Sequence, residues 1–512
     1  MESLPTELIL EIFQHLDYRA LLACEKTCRR LRDVVTGHSL LQYQIALALS
    51  GMLHGIAGPL STAGRLSALI RYQSAWRSLE WSAHMAFPLL EGLPRCWDLY
   101  GGVLGMRTSA RSLCFRQLPS RLRGIEFREW GVGFEYTIAD FFMDPSQDLL
   151  VLIQNDGITV CIVYVILLAN GEAHITHRSP RVINLPVAFP RRIPHMAYSI
   201  KVNGDHLGVL FLDERSQSAH LVIWNWKAGE IEMNMQGQGL QCFAFLDDRR
   251  VIIGLLFRPP NAPGGPSLMV YDYRNTSPAL IDAQNSPYMC GFALPRMTFS
   301  PFDKIVINSD PGPRASPNPE LRVPFCIDHS DRLILVELSR QRGEAAAGVD
   351  VFIPTHVFRP FLRTARAPRR YVEWEEWGPE GTRVLPHTAE WPTWACYVYG
   401  MRYVYPRPIT ASNGRRAIRV FDFHPTRLRQ ARATVAADDV DAWTIVTDQG
   451  YVGTSATWEV EFWKQHGVQS HLPFLVKEIL LPPHVRAAAN DDVSLMLSED
   501  TIIAIEDVSP SV

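Results

Sequence analysis

The side chains best suited to chemistry lie in the segment Tyr371–Trp377, where three glutamates stand beside Trp374 and Trp377. A carboxylate beside an aromatic ring suits acid–base work on sugars, provided that a second carboxylate faces it across the bond. The sequence offers no identifiable partner carboxylate, and a solvent-facing strand with alternating tryptophans has the same pattern. The segment therefore predicts glycan binding as one alternative function and gives little support for catalysis.

Other catalytic and metal-binding patterns are missing from the sequence. It contains no G-x-x-x-x-G-K-[ST] phosphate loop, no G-x-S-x-G nucleophile elbow and no G-x-G-x-x-G turn. Cys24 and Cys28 have no histidine at zinc-ligand spacing. His174 and His177 lie three residues apart on a predicted strand, so they would point to opposite faces. We expect no catalytic residue, no metal and no cofactor.

Arginine clusters are the strongest charged feature, since the chain has only six lysines among its 50 basic residues. Arginine forks pair well with carboxylates and phosphates. One cluster has no acid between Phe358 and Val372, and a second lies between Arg407 and Arg432. The first cluster predicts a surface for an acidic or phosphorylated segment, formed by Arg363, Arg366, Arg369 and Arg370. The alternative is a solvated loop or pairing with Asp438, Asp439 and Asp441.

Composition excludes several classes of protein. The 512 residues are 47% hydrophobic and 20% charged, which is globular, and the net charge of −3 gives no basic excess for nucleic acid. The nine cysteines are scattered and odd in number, which favours a reducing compartment. The longest apolar run, Ile158–Ala169, is well short of the ~20 residues of a membrane-spanning helix. We expect a soluble protein of the cytoplasm and/or nucleus, without a nucleic-acid or membrane partner.

The first 40 residues predict three short helices. Pro5 suits a helix start, and Asp17 is a plausible N-cap for a second helix. A third helix is expected from Cys28 to Val35. The first helix carries apolar residues at helical spacing, namely Leu8, Ile9, Ile12, Phe13 and Leu16. Three helices of this size bury too little to be stable alone, so they need a partner surface.

The order and spacing of these residues resemble the F-box motif. The resemblance rests on Leu4-Pro5-Thr6-Glu7-Leu8, Ile12-Phe13, Leu16, Leu21-Leu22, Cys28-Arg29 and Leu31-Arg32. Its N-terminal position is typical of fungal F-box proteins. The resemblance implies docking onto the Skp-family adaptor of a cullin–RING ubiquitin ligase. The implied adaptor-binding residues are Leu4, Pro5, Leu8, Ile9, Ile12, Phe13, Leu16, Leu21, Leu22 and Leu31. Phe13 is equally suited to the core, and a three-helix cap on the rest of the chain is the alternative.

The remaining chain predicts a helical connector and then a large β domain. Trp76 and Trp81 are candidate anchors between the two. Strand–turn–strand signals occur around Asn155-Asp156-Gly157 and Asn203-Gly204-Asp205. Successive units start near residues 140, 197, 241 and 297, which is close to the period of a propeller blade. The proline-rich segments Pro259–Pro266 and Pro311–Pro319 are expected to be surface loops.

The predicted organisation is multidomain α + β. An F-box (1–40) and a helical connector (41–95) precede an all-β domain (96–512). That domain is expected to be a six- or seven-bladed β-propeller whose first blade starts near residue 130, with a β-sandwich as the alternative. The predicted function is a non-enzymatic F-box substrate receptor that binds the adaptor, cullin through it, and a target through the four arginines. A non-degradative F-box scaffold and a glycan-binding propeller are the alternatives.

Overall fold

We analysed a computed structural model of the chain. It describes residues 4–56, 58–81, 83–87, 96–155, 161–172, 181–185, 196–213, 218–256, 265–276, 278–295, 302, 304–340, 347–364, 370–387, 396–411, 415–434, 443–447, 468–481 and 493–506. All structural statements below concern these residues.

Five helices and one short strand form the N-terminal part. The elements are α1 (Thr6–Phe13), α2 (Tyr18–Glu25), α3 (Arg29–Gly37), α4 (Ser39–Ser50), β1 (Met52–His54) and α5 (Thr62–Ser78). The predicted cap of α2 is confirmed, since the Asp17 carboxylate accepts a hydrogen bond from the Ala20 amide at 2.8 Å. Gly51 ends α4 in a left-handed conformation that favours glycine (φ +64°).

The β region is a six-blade β-propeller. Blade 1 contains β2 (Trp97–Tyr100), β3 (Val103–Ser109), β4 (Ser112–Gln117) and β5 (Arg128–Gly133). Blade 2 contains β6 (Asp140–Asp144), β7 (Leu149–Asn155), β8 (Cys161–Leu167) and β9 (Arg181–Leu185). Blade 3 contains β10 (Met196–Asn203), β11 (His206–Asp213), β12 (Ser218–Asn225), β13 (Glu230–Gln238) and the added strand β17 (Ile281–Asp282).

The remaining three blades carry more irregular additions. Blade 4 contains β14 (Leu240–Phe245), β15 (Arg250–Leu255), β16 (Ser267–Asp272), β18 (Cys290–Ala293) and β23 (Arg370–Val372). Blade 5 contains β19 (Lys304–Asn308), β21 (Leu333–Arg340), β22 (Ala347–Pro354) and β24 (Arg383–His387). Blade 6 contains β25 (Val398–Tyr399), β26 (Arg402–Val404), β27 (Ile409–Thr410), β28 (Arg416–Asp422), β29 (Thr444–Val446) and β30 (Phe474–Leu480).

Elements outside the blades close the ring and cover its rim. A C-terminal hairpin of β31 (Val493–Leu497) and β32 (Ile502–Glu506) packs beside blade 6. The strand β20 (Phe325–Ile327) pairs with β1 of the N-terminal part. The helices of the β region are α6 (Arg359–Thr364), α7 (Trp374–Gly381) and α8 (Pro425–Thr434).

The first strand of each blade lies at the propeller axis. Contacts join β2 to β6, β6 to β10, β10 to β14 and β14 to β19, as expected for strands around a common axis. The predicted hairpin at Asn203–His206 is confirmed by the β10–β11 pairing. The expected first blade near residue 130 is wrong, because a complete sheet already spans Trp97–Gly133.

Candidate docking surface of the N-terminal domain

The helix α1 has one buried face and one open face. Ile9 and Phe13, four residues apart, are fully buried in a core shared with α2, α3 and α4. Leu8 and Ile12 lie about 100° around the helix from this pair and are 51% and 47% exposed. Two large aliphatic side chains on one short helix face are a candidate contact for another protein.

The predicted adaptor-binding residues separate into three groups by burial. Ile9, Phe13, Leu21 and Leu31 form the core of this helical unit, so in this conformation they present no surface to a partner. Leu4, Leu16 and Leu22 are partly buried against the same core. Leu8 and Ile12, together with Pro5, remain open to solvent. The i, i+4 spacing of the two pairs already distinguishes the faces in the sequence.

The helix α4 joins the helical unit to the propeller. Leu41 and Ile45 belong to the core of the N-terminal helices, whereas Tyr43 and Leu47 belong to the core shared with blades 1 and 6. The Gln44 side chain donates to the Gln14 carbonyl at 3.0 Å. A single helix therefore packs into two cores at once, and this arrangement resists rotation between them.

Polar contacts fix the connector further. The Tyr43 hydroxyl donates to the Pro324 carbonyl at 2.7 Å, beside the β1–β20 pair. On α5, the Tyr72 hydroxyl donates to the Glu499 carbonyl at 2.9 Å. Trp76 is buried with the Arg402 guanidinium 4.1 Å from its ring centre. The predicted anchor at Trp76 is confirmed, whereas Trp81 is one of the exposed apolar residues and packs into none of the buried cores.

The described arginines of the two clusters are dispersed. Arg363 is exposed on α6. Arg370 lies on β23, where it pairs with Glu376 and stacks over Phe361 at 5.2 Å. Arg366, Arg369 and the acids 438, 439 and 441 lie outside the described residues.

In the second cluster, several arginines are engaged within the protein. Arg419 pairs with Glu478 at 2.7 Å, across the β28–β30 pair. Arg427 pairs with the buried Asp422 at 2.7 Å. These side chains stabilise blade 6 and α8, so they offer less free positive charge than the sequence suggested.

The Trp/Glu segment begins on β23 with Tyr371 and Val372 and then enters α7 at Trp374, so its two tryptophans lie on a helix and not on a solvent-facing strand. Trp374 and Trp377 lie on the buried side of α7, and the Trp377 indole donates to the Ala293 carbonyl at 2.9 Å. Their rings pack near Phe292 and Phe358. The spacing of three places both indoles on one helix face. The glycan-binding alternative therefore loses the two residues on which it rested.

Three acids near the propeller axis form an axial acidic cluster that was not predicted from the sequence. Asp98, Asp140 and Asp310 come from the first strands of three blades or their ends. Burial is the main reason that the pKa of Asp98 is raised to about 7 and that of Asp140 to about 6. The Lys201 ammonium lies 3.8 Å from an Asp310 oxygen.

The predicted proline-rich surface loop at Pro311–Pro319 has mostly exposed or half-exposed residues and is hydrogen-bonded to the first strands of blades 1 and 3. The Gly312 amide donates to the Tyr100 hydroxyl at 3.3 Å, and the Arg314 amide donates to Asn203 at 3.1 Å. Pro311 itself is buried. The other segment, Pro259–Pro266, lies almost entirely outside the described residues.

The described residues contain neither a metal-binding group of side chains nor a membrane-spanning helix. No group of three or more His, Cys, Asp or Glu side chains in that part of the chain could hold a metal ion. No helix there combines the length and apolarity needed to cross a bilayer.

Comparison with protein families identifies the N-terminal helices. Residues 1–45 match the family model described as F-box-like. The chain carries an F-box-like domain. The F-box-like domain thus comprises α1, α2, α3 and the first half of α4, and its open surface is the face of α1 that presents Leu8 and Ile12.

Solved structures match the chain only at low identity and with low TM-scores. The search of curated proteins finds no match. The WD40 domain of SCAP from fission yeast is 8% identical, with a TM-score of 0.30 over 79% of this chain and 92% of that chain. Drosophila Plexin A in complex with Semaphorin 1b gives 8% identity and a TM-score of 0.34 over 80% and 85%.

A third structural match is shorter. An uncharacterized protein from Listeria monocytogenes EGD-e is 10% identical, with a TM-score of 0.25 over 51% of this chain. The chain spans 63% of that protein, which is less than two thirds of its length. All three TM-scores are too low to carry an argument about function.

Proposed function

We propose that the protein is the substrate-recognition subunit of a cullin–RING ubiquitin ligase. The F-box-like domain would dock a Skp-family adaptor, and cullin through it, while the propeller would hold a target protein. The observation that carries the proposal is the open α1 face of the F-box-like domain, where Leu8 and Ile12 are exposed while Ile9 and Phe13 are buried. F-box domains typically bind Skp-family adaptors.

The connection between the two parts supports this role. A receptor of this kind accelerates ubiquitin transfer by holding target lysines near the charged conjugating enzyme, which is a proximity effect. Such positioning requires a stiff link. The shared packing of α4 and the buried contacts of Tyr72 and Trp76 provide one.

For the target, we propose an acidic or phosphorylated segment bound near α6 and β23. Arg363 is exposed there, and the Arg370–Glu376 pair has both side chains about half exposed. An exposed pair of this kind is worth little, so Arg370 can exchange Glu376 for a ligand carboxylate or phosphate. We include Arg366 and Arg369 in this surface because they belong to the same arginine cluster of the sequence.

Affinity purification of the full chain from cells tests the assignment. We expect the Skp-family adaptor and cullin to co-purify with the chain. Recovery of adaptor without cullin would favour the non-degradative scaffold, and recovery of neither would contradict the proposal. Proximity labelling with degradation blocked then tests the target site. Changing all four arginines to alanine should reduce labelling of acidic targets and leave adaptor recovery intact.

A further inference from the structure

Exposed apolar side chains are concentrated in the N-terminal part of the molecule. Of the eleven large apolar residues that the described chain leaves exposed, eight lie within residues 8–85, and only Phe127, Leu280 and Leu480 lie on the propeller. Besides Leu8 and Ile12, a second group is formed by Leu53, Ile56 and Leu60, which are 49%, 40% and 45% exposed. Soluble monomers rarely expose large apolar patches, so a concentration of exposed apolar side chains indicates an interaction surface.

The second group is held in place by a buried arginine. The Arg65 guanidinium, which is almost inaccessible to solvent, contacts His54 Nε2 at 3.0 Å. It also donates to the carbonyls of Leu60 at 3.3 Å and Ile56 at 3.4 Å. A guanidinium has five donors in a fixed fork, so it defines the path of the backbone around it. The apolar side chains therefore point outward from an ordered segment.

The same segment is also fixed to the propeller. Leu53 lies on β1, which pairs with β20, and the Gly55 amide donates to the Pro324 carbonyl at 3.1 Å. A Cβ atom at Gly55 would lie 2.0 Å from the Val323 carbonyl oxygen. Close backbone packing of this kind leaves the segment little freedom to fold its apolar side chains inward.

The two apolar groups belong to one rigid unit. The helix α4 packs into the F-box-like domain through Leu41 and Ile45, and leads through Gly51 directly into β1. Its 12 residues span about 18 Å at 1.5 Å per residue. A typical stable interface buries about 800 Å² on each partner, which corresponds to a patch roughly 30 Å across. A globular partner that docks on α1 and extends along α4 would therefore reach both groups.

We infer that the adaptor-binding surface extends beyond the F-box-like domain onto Leu53, Ile56 and Leu60 of the connector. The inference rests on the proposed function, and the occupant is the same Skp-family adaptor that docks on α1. Two half-exposed aliphatic side chains on α1 are a small part of a stable interface, and the connector, which is joined to the F-box-like domain by α4, supplies further exposed apolar surface. The adaptor would thus contact the F-box-like domain and the connector at the same time. Its affinity would depend on the fixed position of one relative to the other.

The test measures binding of a purified Skp-family adaptor to the full chain by calorimetry. The variant is Leu53→Ser, Ile56→Ser and Leu60→Ser combined. The matched control is Leu280→Ser with Leu480→Ser, which changes exposed residues of the propeller. We expect the triple variant to bind at least about tenfold more weakly, from the apolar area it no longer buries, and the control to bind like the unchanged chain.

Other outcomes separate the possible failures. If the triple variant binds normally while Leu8→Asp abolishes binding, the inference is wrong and the proposed function stands. If the unchanged chain does not bind the adaptor, both are wrong. If the chain alone sediments as a dimer and the triple variant as a monomer, the surface joins two copies, which overturns the adaptor assignment. Hydrogen exchange on the unchanged chain gives a readout independent of the variants, since adaptor should protect amides of residues 52–60.

Discussion

Replacing Asp98 with asparagine should stabilise the protein at high pH. The Asp98 carboxyl belongs to the axial acidic cluster and lies 4.0 Å from the Cys396 thiol, and its Oδ2 atom is buried without a hydrogen-bond partner among the described residues. Burial, and then the nearby Asp310 and Asp140, raise the pKa of Asp98 to about 7, and Lys201 only partly opposes this. Asparagine has the shape of the protonated acid but never carries the charge.

The sign of the effect follows from proton binding. Between pH 4 and pH 7 the folded chain keeps a proton on Asp98 that the unfolded chain releases, so stability falls as pH rises through this range. A pKa that moves from about 4 to about 7 corresponds to at most ~4 kcal/mol at pH 8. Rearrangement of the protein around the charged carboxylate reduces this limit, and we expect Asp98→Asn to gain ~1–3 kcal/mol at pH 8 and almost nothing at pH 4.

Guanidinium unfolding at pH 4, 6 and 8, followed by tryptophan fluorescence, measures the difference. Asp248→Asn is the matched control, because Asp248 is exposed and does not belong to the axial acidic cluster. The expected result is a gain for Asp98→Asn that grows with pH and no such trend for the control. A destabilised Asp98→Asn at pH 8, or a difference that is the same at all three pH values, would refute the reasoning.

Three further predictions concern buried and exposed residues. Trp76→Ala should cost ~3–5 kcal/mol of unfolding free energy, because it empties a core site under Arg402, whereas the exposed Trp81→Ala should cost under ~1 kcal/mol; equal losses in chemical denaturation would contradict the anchor. Trp377→Ala should destabilise by a similar ~3–5 kcal/mol, and the unchanged chain should bind no ligand on a glycan array, since Trp377 is buried. Amine acylation followed by mass spectrometry should label the exposed Lys26 at least about tenfold faster than Lys201, whose ammonium lies beside Asp310. Equal rates would mean that Lys201 is as accessible to solvent as Lys26.

Local patterns predicted the elements that depend on neighbouring residues. The helical spacing of Leu8, Ile9, Ile12 and Phe13 predicted α1, and the Asn203-Gly204-Asp205 turn predicted the β10–β11 hairpin. These signals act within one turn of helix or one tight turn, so the sequence contains all of their determinants. The repeat spacing was sufficient for a propeller because most strands of each blade follow one another in the chain.

Features that depend on distant contacts were not predictable. The segment of Trp374 and Trp377 was interpreted as a strand, although a spacing of three puts two side chains on one face only in a helix; Phe292 and Phe358, which cover that face, come from other parts of the chain. Blade 1 was missed because its outer strand β5 is mostly exposed and lacks the apolar alternation of a core strand. The axial acidic cluster was missed because Asp98, Asp140 and Asp310 come together only when the blades assemble around the propeller axis.

Direct binding of a purified Skp-family adaptor to the full chain tests the central claim. The decisive comparison is the unchanged chain against Leu8→Asp with Ile12→Asp, which places charges on the exposed face of α1 without touching the buried Ile9 and Phe13. The account predicts a stable complex with the unchanged chain and at least a hundredfold loss for the double variant, because a buried unpaired charge is costly. Equal binding by both chains, or no binding by the unchanged chain, would contradict it.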